Sequence, residues 1–246
     1  MVIAFLLAVV TVFPLFAQYA NAEELPYDPY AYDYWEDVVH TPAAYTPDRM
    51  VIGNDLMLDG ESIGAFVTPQ DLCKDAEGNV YVADSGNNRI VVLDPTMTEA
   101  IRIYDSFDNE GTADDYSNPT GVCVTDRGWL YIADSLHRRI VILEVESGAL
   151  VSIVENPTSD VLEENYVFTP LKVSVDYADR IYCIAQNMFE GIMVFEADGE
   201  FTGFFGTIEV KITLWEKFWR KIATKEERSK SQLFIPTEFT GIDVDE

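Results

Sequence analysis

The chain has 246 residues, enough for one sizeable core or two small ones. Hydrophobic residues make up 48 % of it and aromatics 13 %, which excludes wholesale disorder. Forty-three acidic residues against 16 basic ones give a formal charge of −27. That is the wrong sign for a phosphate backbone, so no nucleic acid is expected as a partner, whereas cations and basic proteins are compatible with it.

From Val2 to Phe16 the chain is apolar apart from Thr11, with Pro14 near the end of the run. The small residues Ala20-Asn21-Ala22 and then Glu23-Glu24 come next. A run of about 15 apolar residues is short of the roughly 20 that span a bilayer. The pattern predicts a signal peptide over 1–22, cleaved after Ala22, although no Lys or Arg precedes the apolar run. The alternative is an uncleaved membrane anchor. Both readings make the remainder secreted or extracytoplasmic.

Residues 23–68 form a second section. Leu25 to Trp35 is dense in tyrosine, proline and aspartate. One reading is an aromatic, acidic recognition arm for glycans. The favoured reading is an extended strap whose rings are covered by the rest of the fold, as dense aromatics prefer. Ile63-Gly64-Ala65-Phe66-Val67 is expected to add an outer strand ahead of Pro69.

A repeat beginning at Pro69 decides the architecture. Pro69, Leu72-Cys73, Gly78, Val80-Tyr81-Val82-Ala83-Asp84-Ser85 and Arg89-Ile90-Val91-Val92-Leu93 recur 50 residues later. The second copy reads Pro119, Val122-Cys123, Gly128, Leu130-Tyr131-Ile132-Ala133-Asp134-Ser135 and Arg139-Ile140-Val141-Ile142-Leu143, without a gap. A worn third copy holds Pro170, Val173, Asp179, Ile181-Tyr182 and Ile192-Met193-Val194-Phe195, at offsets of 51 and then 52. A fourth begins at Pro236 and runs through Gly241-Ile242-Asp243-Val244-Asp245.

Each copy predicts short antiparallel strands. In the first they are Leu72–Lys74, Val80–Ala83 and Arg89–Leu93, with a fourth from Glu99 to Tyr104. Gly78 and Gly128 supply the turn conformation that glycine tolerates. Asp84 and Asp134 are read as carboxylates closing a turn, paired with Arg89 and Arg139. Cys73, Cys123 and Cys183 are read as small buried residues of inner strands that form no disulfides. Equivalent points on neighbouring sheets lie about 10 Å apart, beyond disulfide reach.

The pattern Pro-x-x-Val, Gly-x-(Val/Leu)-Tyr-(Val/Ile)-Ala-Asp-Ser, Arg-Ile-Val resembles the NHL repeat, strongly in the first two copies, over roughly residues 69–206 and again from 236. The resemblance implies an all-β β-propeller of four-stranded blades over residues 69–246, commonly a closed ring of six. About three blades and the start of a fourth are visible, so the protein is expected to continue beyond Glu246. An open ring would expose an unpaired edge, a known aggregation hazard.

One segment departs from the repeat. Between Lys211 and Lys230 lie seven of the 16 basic residues against three acids, a net +4 that leaves −31 on the rest. At about 100° per residue Ile212, Trp215, Phe218, Trp219 and Ile222 share one helical face, with Lys217, Arg220, Lys221 and Arg228 opposite. The segment is read as a helical insertion over 211–230. Packing on its own acidic propeller is favoured, with a membrane surface or a protein partner as the alternatives.

Catalytic constellations are scarce. His40 and His137 are the two histidines, and His137 falls in a turn where NHL repeats often carry His. No Cys/His pair has metal-ligand spacing, and there is no phosphate loop or nucleophile elbow. No residue is assigned to catalysis, a cofactor or a metal. The resemblance supports two readings of function. The favoured one is an extracytoplasmic binding or scaffold module for a protein, peptide or glycan. The alternative is an enzyme similar to gluconolactonase-like or lyase propellers, holding a divalent metal through Glu, Asn, Asp or His.

Overall fold

Alternating apolar residues in runs of four to six, each closed by a turn, give antiparallel sheets with two buried faces. The computed structural model describes residues 30–41, 48–162, 166–206 and 239–244. The signal peptide expected over 1–22 and the helix expected over 211–230, with Trp215, Phe218 and Trp219, lie outside the described residues. The described elements are strands and two single-turn 3-10 segments, so the all-β expectation is supported and a helical insertion is not.

Residues 1–50 form a unit of their own, in which β1 (Tyr30–Tyr32) pairs with β2 (Val38–His40). In residues 51–246, a short hairpin of β3 (Met57–Leu58) and β4 (Glu61–Ser62) precedes the first four-stranded sheet. That sheet contains β5 (Asp71–Lys74), β6 (Val80–Asp84), β7 (Arg89–Leu93) and β8 (Ala100–Tyr104) in sequence order. A second hairpin comes next, β9 (Ser106–Asn109) with β10 (Thr112–Asp115). The second sheet comprises β11 (Pro119–Val124), β12 (Trp129–Asp134), β13 (Arg139–Glu144) and β14 (Leu150–Val154). The third comprises β15 (Pro170–Val175), β16 (Ile181–Ala185), β17 (Ile192–Phe195) and β18 (Phe201–Phe205). The start of the fourth copy, 239–244, carries no strand.

Register puts one apolar set on each face. Tyr81 lies opposite Val92, Tyr131 opposite Ile142 and Tyr182 opposite Val194. The forward face of the first sheet (Tyr81, Ala83, Ile90, Val92, Tyr104) packs on Val122, Leu130, Ile132, Val141 and Leu143 of the second. The second sheet repeats the arrangement: Tyr131, Ala133, Ile140, Ile142 and Val154 pack on Val173, Ile181, Cys183, Met193 and Phe195 of the third. Most of these side chains are wholly buried, each contributing about 1.5–3 kcal/mol of apolar transfer. The rear of the first sheet meets Leu56 and Ile63 instead of another sheet. Leu72 is accordingly 68 % exposed, whereas Val122 and Val173 at the same register are 3 % exposed.

Three expectations are corrected. Residues 63–67 form no strand, because their polar groups are used differently: the Val67 N–H donates to Asp84 and the Ile63 carbonyl accepts from Arg89. The described rings of the strap expected over Leu25–Trp35 are exposed, Tyr34 at 89 % and Trp35 at 76 %. Cys73 on β5 and Cys123 on β11 are only half-buried, whereas Cys183 is buried on β16 as expected. All three carry free thiols, and burial pushes each up, Cys123 to about 11.

The first strands of adjacent sheets approach closely. A Cβ added at Gly121 would stand 2.8 Å from both the Leu171 carbonyl oxygen and the Lys172 Cα, which are backbone atoms with little freedom to yield. Gly121→Ala is therefore expected to destabilise by about 1–3 kcal/mol through overpacking, read as a lower midpoint in a urea melt. An unchanged midpoint would show that the sheets separate easily at this point.

Candidate functional site

Two kinds of polar cluster emerge from this frame, one at each end of the second strands. At the end of β6 the Asp84 carboxylate is fully buried. Its Oδ1 accepts from the Val67 N–H at 2.7 Å, and its Oδ2 accepts from Arg89 Nε and Asn87 Nδ2, both at 2.8 Å. Arg89 Nη1 goes on to the Ile63 carbonyl at 2.8 Å. The second sheet repeats the device. Asp134 accepts from the Ser117 N–H at 2.7 Å and from Arg139 Nε at 2.9 Å, with His137 Nδ1 at 2.9 Å. His137 thus stands where Asn87 stands and makes the same contact, which accounts for it without catalysis.

Asp84, Arg89, Asp134 and Arg139 therefore tie each sheet to the loop that enters it. The serine directly after each aspartate ties the sheet to the next one. Ser85 Oγ donates to the Pro119 carbonyl and Ser135 Oγ to the Pro170 carbonyl, both at 2.5 Å. Arg139 has a further partner: its Nη1 and Nη2 bond both oxygens of Asp114 at 2.8 Å, drawing the β9–β10 hairpin onto the sheet. These bonds from Arg139 hold the Asp114 carboxyl well below the usual range, and Asp114 in turn raises the Arg139 guanidinium. Gly78 and Gly128 sit in the turns after the first strands at φ 92° and 77°.

The third sheet lacks the device. Register places Ala185 where Asp134 stands, followed by Gln186 where Ser135 stands, and Gly191 precedes Ile192 as Arg139 precedes Ile140. The incoming loop is closed by Asn156 instead, whose Oδ1 accepts from the Phe168 N–H at 2.7 Å.

The opposite end of the sheets carries the second cluster. A cavity of about 820 Å³ lies between β5, β11, β15 and residues 242–244, with the turns after those strands at its mouth. Asp75, Asp126, Asp176, Asp179 and Asp243 line it together with Lys74, Arg127 and Tyr177. At one end Lys172 Nζ lies 3.0 Å from Asp71 Oδ1, and the Val122 N–H donates to Asp71 Oδ2 at 3.1 Å, so one carboxylate joins all three sheets. At the mouth Arg127 is paired with Asp179 and its Nη2 reaches the Tyr177 carbonyl at 3.4 Å. Burial raises the Asp176 carboxyl, but the Arg180 guanidinium and the N–H groups of Arg180 and Ala178 outweigh it and hold the group below the ordinary range.

Asp71, Arg127 and Lys172 were not singled out by pattern, because none repeats, and Asp179 was noted only as a member of the third copy. Among the described residues no group of three or more His, Cys, Asp or Glu is placed to hold a metal ion.

Two predictions rest on these clusters. Asp84→Ala is expected to cost about 3–5 kcal/mol in a denaturant melt, because it strands the Arg89 charge. Asp134→Ala is expected to cost less, since Asp114 still holds Arg139; equal losses would remove Asp114 from the account. The second prediction concerns acid. Asp114 and Asp176 have folded values below the ordinary carboxylate value of about 3.9. Their contribution is therefore present above about pH 4 and is lost as pH falls through the depressed values. Asp114→Asn should make acid unfolding, followed by circular dichroism, shallower below pH ~4, and an unaltered profile would contradict the assignment.

A sequence profile of the NHL repeat matches residues 66–93, from the end of the entering loop through β7. No curated protein matches the chain in sequence. Similar solved structures include hydrazine synthase of Kuenenia stuttgartiensis, at 8 % identity and TM-score 0.43 over 68 % of this chain and 40 % of that one. Virginiamycin B lyase from Staphylococcus aureus, an inactive variant with quinupristin, matches at 16 % identity and TM-score 0.41 over 63 % and 48 %. A nidogen/laminin complex matches at 17 % identity and TM-score 0.43 over 56 % and 47 %. The chain spans less than half the length of each of these three solved chains. The chain thus carries an NHL repeat at residues 66–93, and its three four-stranded antiparallel sheets are consistent with blades of a β-propeller.

Proposed function

We propose that this chain is an extracytoplasmic binding scaffold whose propeller engages a protein or peptide at the mouth of the 820 Å³ cavity. One observation carries the reading: the charged residues that repeat are consumed in building blades, whereas those at the mouth differ from blade to blade. The first turn position holds Ala76, Asp126 and Tyr177 in the three blades, and the next holds Glu77, Arg127 and Ala178. A constant scaffold that presents variable side chains around one cavity suits recognition.

Tyr177, 83 % exposed, offers a rigid amphipathic ring, and its backbone carbonyl accepts from Arg127. Tyrosine and arginine are the residue types that anchor interfaces. The net charge of −27 favours a partner with a basic surface. The binding of peptides and of glycans is tested on arrays of each. Tyr177→Ala combined with Arg127→Glu should lower affinity for a selected peptide at least about tenfold, about 1.4 kcal/mol, while the melting midpoint barely moves. Retention of affinity by this variant would place recognition elsewhere, and selection of glycans alone would replace the peptide reading.

A further inference from the structure

One group of exposed aromatic rings precedes the blade repeats in sequence. Between Tyr30 and His40 the chain folds into the β1–β2 hairpin, in a unit of its own. Tyr30, Tyr32, Tyr34 and Trp35 are all more than half exposed. Tyr30 faces His40 and Tyr32 faces Val38, so Tyr30, Tyr32, Val38 and His40 share one face of the ladder.

The tip is ordered from within. Asp33 Oδ1 accepts from the Trp35 N–H at 2.8 Å and from the Asp37 N–H at 3.0 Å, closing the turn. Glu36 adopts φ 65°, the left-handed conformation that non-glycine residues rarely take. The rings are set at right angles. Tyr34 and Trp35 lie 4.9 Å apart at 87°, and Tyr30 and Tyr32 lie 5.6 Å apart at 84°. Each pair is T-shaped, the edge of one ring against the face of the other, so the two ring planes meet as a corner.

We propose that this hairpin is a separate recognition arm that takes the lysine or arginine side chains of a basic peptide. Ring faces carry the negative end of the aromatic quadrupole, so a corner of two rings attracts an ammonium or guanidinium group. Charge selects that occupant over a neutral sugar: residues 30–40 contain Asp33, Glu36 and Asp37 and no lysine or arginine. Asp33 is occupied in the turn, and Glu36 and Asp37, both exposed, follow Tyr34–Trp35 directly in sequence. Large rings exposed together in this way mark an interaction surface.

The test uses the whole chain and a fluorescent peptide of alternating arginine and serine, followed by anisotropy. Titrations run in about 1 M salt, where charges separated by more than roughly 3 Å are screened and general attraction to an acidic surface is suppressed. Tyr34→Ala with Trp35→Ala, which leaves the charge unchanged, should weaken binding at least tenfold; in a second titration at about 0.1 M salt, where nearby charges still act, Glu36→Gln with Asp37→Asn should weaken it as well. The melting midpoint of the blades serves as the folding control. Tyr177→Ala with Arg127→Glu should leave this binding intact, which separates the arm from the cavity mouth. Binding unchanged by the ring substitutions would overturn the proposal. So would preferential binding of a neutral oligosaccharide that the same substitutions abolish, since the arm would then be a sugar platform.

Discussion

A carboxylate sealed inside the end of the second strand is the constraint on which the blades depend. Burying an ionised aspartate is costly unless its oxygens are met by donors. Asp84 meets a backbone N–H, an arginine and an asparagine, and Asp134 meets a backbone N–H, an arginine and a histidine. The backbone donor comes from the loop that enters the blade, so satisfying the charge fixes that loop. The neighbouring serine then bonds the first strand of the next blade. Aspartate, serine and arginine thus set both the entry and the exit of the first two blades. The first two copies, which contain the device, keep an offset of 50, whereas the third, which holds Ala185, Gln186 and Gly191 there, drifts to 51 and 52.

This division of labour bears on function. Repeated polar residues are spent on construction, and their recurrence is evidence of structural use. The side chains free to recognise a partner are those that vary at fixed backbone positions, and they gather at the turns after β5, β11 and β15. Arg127 and Asp179 link two blades there, and Lys172 and Asp71 link the first and third. On the proposed reading, a surface of this kind is held by strands, so a partner would meet it preformed and need not order it.

Much of the blade was legible in the sequence because its strands obey a strict period. Arg89–Leu93 and Ile192–Phe195 form the strands expected of them, and Val80–Ala83 extends by one residue to Asp84. The hairpins β3–β4 and β9–β10 were not legible, since their strands are two to four residues long and half polar. The lead-in at 63–67 looked like a strand because it is largely apolar. Tertiary bonds from Asp84 and Arg89 overrode that local preference. The cavity was hidden for a different reason: its closing pair Lys172 and Asp71 are 101 positions apart in sequence, and no period connects them. Exposure of the aromatic hairpin ran against the expectation that dense rings are covered, because these rings pack edge to face on one another.

Native-state hydrogen exchange on the Val67 and Ser117 amides tests the central claim most directly, because both lie in loops and both donate to a buried carboxylate. If these carboxylates organise the blades, the two amides exchange only when a whole blade opens, as slowly as the amides of β6 and β12, while the third blade, lacking the aspartate, opens sooner. Exchange of Val67 and Ser117 at the rate of ordinary exposed loops, or a third blade as protected as the first two, would contradict the account.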